Sequence, residues 1–129
     1  MNLNYIDMRT RDILDYAKSL FVKHGLAKFT EARCLANGKD VPPTSALADE
    51  FCALGAVRKA LDMYGEPCGL SDYTKPGTVA ARAYEALHAV LPDGMKVVVF
   101  NDAEDTTKKQ ITGLFDSASL WLLSGGLAK

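Results

Sequence analysis

Cys52, His88 and the pair Asn101-Asp102 are the residues whose types and order could do chemistry, because thiol, imidazole and amide or acid follow one another as in papain-like thiol hydrolases. A thiol becomes a nucleophile only with a base in reach, and that base needs a third group to orient it. Two features weigh against the arrangement. Helical periodicity puts Cys52 two turns inside a helix, away from the N-terminal dipole that lowers a thiol's pKa, and it puts His88 on a helix instead of a strand. A chain with three cysteines and two histidines supplies such an order readily by chance. A small thiol-dependent hydrolase using Cys52, with His88 and Asp102, is therefore the alternative reading and not the leading one.

Other chemistries find less support. Cys34, Cys52 and Cys68 are separated by 17 and 15 residues, which gives neither the close ligand pairs of a structural zinc site nor a disulfide scaffold. Asp102, Glu104 and Asp105 lack the glycine and terminal Glu of a calcium loop, and they suit the positive end of the helix that follows. No metal is expected. Gly65, Gly69 and Gly77 are spaced too widely for a dinucleotide fingerprint, the Walker pattern is absent, and no cofactor is expected. With 15 basic and 16 acidic residues the net charge is −1, so no global field favours nucleic acid or an anionic membrane. Lys75, Arg82, Lys108 and Lys109 form no stripe interleaved with aromatic residues.

The elements that must position these residues are mostly helical. Thr44 to Gly65 reads as one central helix, about 45–64, with Leu47, Phe51, Leu54, Val57, Leu61 and Tyr64 on one face. Ala48, Cys52, Ala56 and Met63 form a second apolar row beside Gly55, and a helix apolar on two sides is sandwiched between neighbours. The plainer account of that row is close helix packing with Cys52 as a small buried hydrophobe. The sharper one is that Gly55 leaves room for a ligand or a partner's side chain facing Cys52.

Before it, Asp7 to His24 reads as an amphipathic helix, and Lys28 to Val41 as a hairpin around Asn37-Gly38, the dipeptide of tight type I′ turns. After it, Glu66 to Gly77 is a loop able to carry recognition residues such as Tyr73. Thr78 to Leu91 is a third helix, with His88 at the flank of its apolar stripe. Val97 to Phe100 reads as a short buried strand pairing with the hairpin, since three β-branched residues are stiff at χ1. Asn101 and Asp102 then close a turn or point into a cleft. The last helix runs from Asp105 or Thr106 to Ser124, and Leu120 and Leu123 lie off its stripe, as at a subunit interface. The expected fold is α+β, mainly α: four principal helices around the central one with a two- or three-stranded sheet.

No composition shift divides the chain, so residues 1–129 read as one domain. No segment has the length or apolarity of a signal peptide or membrane span, which points to a soluble, cytoplasmic protein.

The arrangement resembles a family of small bacterial and bacteriophage proteins catalogued only as a domain of unknown function. The residues that carry the resemblance are Asn37-Gly38-Lys39, Ala48 with the run Phe51 to Ala56, Phe100-Asn101-Asp102, Thr106 or Thr107, and Leu114-Phe115-Asp116 with Ala118. It implies no activity and no catalytic residue, and it suggests a viral or prophage origin. The leading functional expectation is a non-catalytic interaction module whose partner is a host or viral protein. Its candidate contact residues are Tyr73, Asn101, Asp102, Leu120 and Leu123, the last two also marking a possible homodimer face.

Overall fold

The computed structural model describes residues 3–126. Among them the chain is mainly helical, with five α-helices and a three-stranded mixed sheet. The first helix, α1 (Tyr5–Lys23), buries Ile13, Leu14, Ala17 and Phe21, and Asn4 caps it by accepting from the Asp7 N–H at 2.7 Å. It packs against three later helices: α2 (Ala53–Met63), α3 (Val79–Ala89) and α5 (Lys108–Leu123). These four enclose the core, where Phe51, Val57, Leu61, Leu87, Ile111, Phe115 and Leu122 are buried with Ile13 and Leu14. No described helix is long and apolar enough to cross a membrane.

The central helix is shorter than its periodicity predicts. Residues 44–52 form turns and a strand, and only Ala53–Met63 is helical. Local hydrogen bonds and sheet pairing explain the difference. The Ser45 hydroxyl accepts from the Leu47 N–H, and the Asp49 N–H donates to Arg33 O at 2.9 Å, satisfying groups of the expected helix by other means. Strand β3 (Glu50–Phe51) then lies between β1 (Gly25–Leu26), to which it is parallel, and β2 (Ala32–Arg33), to which it is antiparallel. Phe51, Val57 and Leu61 are buried as their stripe predicts, whereas Leu47 falls on the turn and is exposed.

The expected strand over 97–100 is instead the short helix α4 (Val97–Asp102). Val97 and Asn101, one turn apart, are buried, while Val98 and Val99 face outward. That is helical spacing, and it brings the Asn101 amide to the start of α2, an anchoring that outweighs the β-branched run. The hairpin strand β2 pairs with β3 instead of with residues 97–100, and β3 pairs in turn with β1.

The hairpin forms where Asn37-Gly38 lies, yet its loop is wider than a two-residue turn. Cys34 donates its N–H to Lys39 O at 2.9 Å, and Gly38 alone in the loop has a positive φ, of 69°. Asn37 serves by accepting the Lys39 N–H through its side chain.

The helix ends of the second half follow the sequence. Thr78 caps α3 through the Ala81 N–H, and Thr107 with Gln110 forms a capping box on α5. Within the loop 66–77 a 3-10 helix (Leu70–Thr74) turns Tyr73 inward, where its hydroxyl donates to Leu54 O at 3.1 Å.

Candidate functional site

The start of α2 is the organising point of the site. Cys52 is its N-cap, where the sequence reading had put it two turns inside the helix. Its Sγ accepts from the Gly55 N–H at 3.2 Å, and its own N–H donates to Glu31 O at 2.9 Å. The segment 29–31 therefore crosses the helix start at close range. A Cβ at position 55 would collide with the Glu31 carbonyl oxygen and stand 2.9 Å from its carbon. Gly55 thus makes room for backbone, and neither a second helix nor a ligand occupies that space.

Asn101 ties α4 to this junction. Its Oδ1 accepts from the Ala53 N–H at 2.8 Å, and its Nδ2 donates to Ala27 O at 2.9 Å and to Asp102 Oδ1 at 3.0 Å. Asp102 Oδ1 also accepts from the Phe29 N–H at 2.9 Å. Phe29 has φ 65°, a left-handed conformation rarely adopted by a bulky residue, yet the residue is 81% exposed. The segment 27–31 is thus held by main-chain contacts while its aromatic side chain is presented outward.

Between segment 29–31, the start of α2, the 3-10 helix, α3 and α4 lies an open pocket of about 610 Å³. Leu54, Tyr73, Tyr84 and Val97 line it, with Phe29, Leu70 and Val98 as an exposed apolar rim. Its polar groups are Thr30, Glu31, Cys52, Thr74, Asn101 and Asp102. Four residues singled out from the sequence, Cys52, Tyr73, Asn101 and Asp102, therefore meet in one pocket. His88, Leu120 and Leu123 do not line it. Leu120 and Leu123 are exposed on α5.

The electrostatics oppose a reactive thiol. Burial pushes the Cys52 thiol up from 9.0 to about 11; the bond from the Gly55 amide pulls it back, and the neighbouring Glu31 and Asp102 carboxylates raise it further. His88 offers no relief. Its Nδ1 donates to Tyr84 O at 2.9 Å, and its Nε2 accepts from the Val97 N–H at 3.1 Å, which uses both nitrogens of a neutral imidazole to join α3 to α4. Burial also raises the Tyr73 phenol well above its usual range. Glu31 is paired with the Arg58 guanidinium, whose Nη1 stands 2.6 and 2.7 Å from its two oxygens, and Arg58 Nε donates to Cys68 O.

Sequence reasoning missed Phe29, Thr30, Glu31, Tyr84, Val97 and Val98 as pocket residues. One signal pointed to their neighbourhood: a glycine and small side chains beside Cys52 on α2. Among the described residues no group of three or more His, Cys, Asp or Glu is placed to hold a metal ion.

No curated protein and no solved structure matches the chain. A family model does: residues 6–119, from within α1 to within α5, match the one described as a family of unknown function (DUF6197), and the chain belongs to that family.

Proposed function

We propose that the protein is a non-catalytic binding module that receives apolar side chains of a partner polypeptide in the pocket at the start of α2. The observation that carries this reading is the combination of an apolar pocket with an apolar rim. Phe29, Leu70 and Val98 are 81%, 64% and 53% exposed, and all three border the opening. A small molecule held inside about 610 Å³ would leave that rim wet, whereas a partner's surface covers both. The resemblance to bacterial and bacteriophage proteins supports a host or viral polypeptide as that partner. Thiol hydrolysis is less well supported, because Cys52 is held protonated beside two carboxylates and the imidazole of His88 is committed to backbone groups.

The test uses Cys52 as a reporter inside the pocket. Alkylation by iodoacetamide, followed residue by residue, is expected to rise toward half-maximal rate near pH 11. At pH 9 it is expected to slow when the capped tripeptide N-acetyl-Leu-norleucine-Phe-amide is added at millimolar concentration. Fast alkylation near neutral pH would restore the hydrolase reading. An unchanged rate, with no amide shifts at Thr30, Leu54 or Tyr73 on adding the peptide, would remove the pocket from consideration as a binding site.

A further inference from the structure

Resting on that reading, we infer that the segment received by the pocket presents a lysine or arginine side chain flanked by apolar ones, and that Asp102 is the group that recognises it. Both donors that reach the Asp102 carboxylate, the Phe29 N–H and Asn101 Nδ2, converge on Oδ1. The second oxygen has no partner within the described residues. The other acid of the pocket is already neutralised, since Glu31 is paired with Arg58. Lys28 directs its ammonium to the carbonyl oxygens of Ala103 and Glu104. Among the described residues no lysine, arginine or histidine lines the pocket.

Among the described residues Asp102 is therefore the one carboxylate of the pocket without an ion-pair partner. Covering the rim would strip water from that carboxylate, and burying an unpaired charge is strongly unfavourable. A partner that closes over Phe29, Leu70 and Val98 must either leave Asp102 wet or bring its own cation. Contact between the rim and the partner's apolar side chains puts the carboxylate under the same surface, so the cation comes from a neighbouring residue of the same segment. An acidic or purely apolar segment lacks this complement.

Calorimetric titration with three capped tripeptides tests the inference: N-acetyl-Leu-Lys-Phe-amide, its norleucine counterpart, which keeps the aliphatic length without the charge, and its Glu counterpart. The lysine peptide is expected to bind at least about fivefold more tightly than the norleucine peptide, and the Glu peptide more weakly than either. Asp102→Asn keeps an oxygen for the Phe29 and Asn101 donors. It is expected to abolish the lysine advantage and, because no charge is then stripped of water, to tighten norleucine binding. In the wild-type protein the advantage is also expected to shrink as salt rises, a readout that needs no variant. Equal affinity for the lysine and norleucine peptides would overturn the charge recognition and leave the pocket reading standing. Binding of none of the three would overturn both. Pentylammonium binding as tightly as the lysine peptide would move the occupant from a polypeptide to a free organic cation, and the inference would fall.

Discussion

Cys52 is subject to opposing influences at one atom. Its place at the start of α2 brings an amide to the sulfur, as in activated thiols, but burial and two carboxylates outweigh that bond. The consequence extends to stability. The unfolded thiol loses its proton near 9.0 and the folded one near 11, so below pH 9 the favourable contribution is fully present. It declines as pH rises from 9 and is gone above 11, by about 2–3 kcal/mol in all. Denaturant unfolding of Cys52→Ala and wild type across pH 8–11.5 is expected to show a shallower alkaline decline in the variant. Parallel curves would mean that the thiol is not held protonated. Asn101 is the other residue on which the site turns. Asn101→Ala leaves the Ala53 N–H and Ala27 C=O without their buried partner, and a loss of about 2–4 kcal/mol is expected from urea unfolding. A loss below 1 kcal/mol would show that water replaces the amide at both groups. The sequence marked Cys52 and Asn101 by residue type and chain order, and Asn101 also by its place at the end of an apolar run. It could not mark Glu31 or Phe29, whose roles come from the crossing of segment 29–31 over α2, a long-range contact with no local periodicity.

At the scale of elements, helices with long amphipathic stripes were legible and short segments were not. Asp7 to His24, Thr78 to Leu91 and the last helix follow their expected boundaries to within a few residues because caps, stripes and terminating turns agree. The two failures share a cause. In residues 44–52 and 97–100 the local pattern favours one state, while a contact distant in sequence selects another: strand pairing to β1 and β2 in the first case, the Asn101 anchor in the second. The helical state of α4 has a direct test at Val99, which is outward and 61% exposed. Val99→Ala removes a β-branched residue from a helix, so thermal unfolding is expected to show a gain of up to about 0.5 kcal/mol. A loss above 1 kcal/mol would indicate strand pairing through this stretch.

At the scale of the whole molecule, the core and the proposed binding surface make separate demands, and Phe29 is where they conflict. Its backbone is in the left-handed region, which a side chain such as phenylalanine occupies at a cost, and its exposed ring returns no burial to offset it. Strain retained at an exposed position beside a pocket is expected where the side chain serves a partner and not the fold. Phe29→Gly relieves the strain, and the main-chain N–H that meets Asp102 is kept. Chemical unfolding of this variant is expected to show a gain of up to about 1 kcal/mol in stability, together with a several-fold weaker affinity for the lysine tripeptide. The two readouts separate the alternatives. If stability rises and affinity is unchanged, the ring is not part of the recognition surface, and the rim argument reduces to Leu70 and Val98. If stability falls, the ring contributes to the native packing, and its conformation reflects the fold instead of a partner.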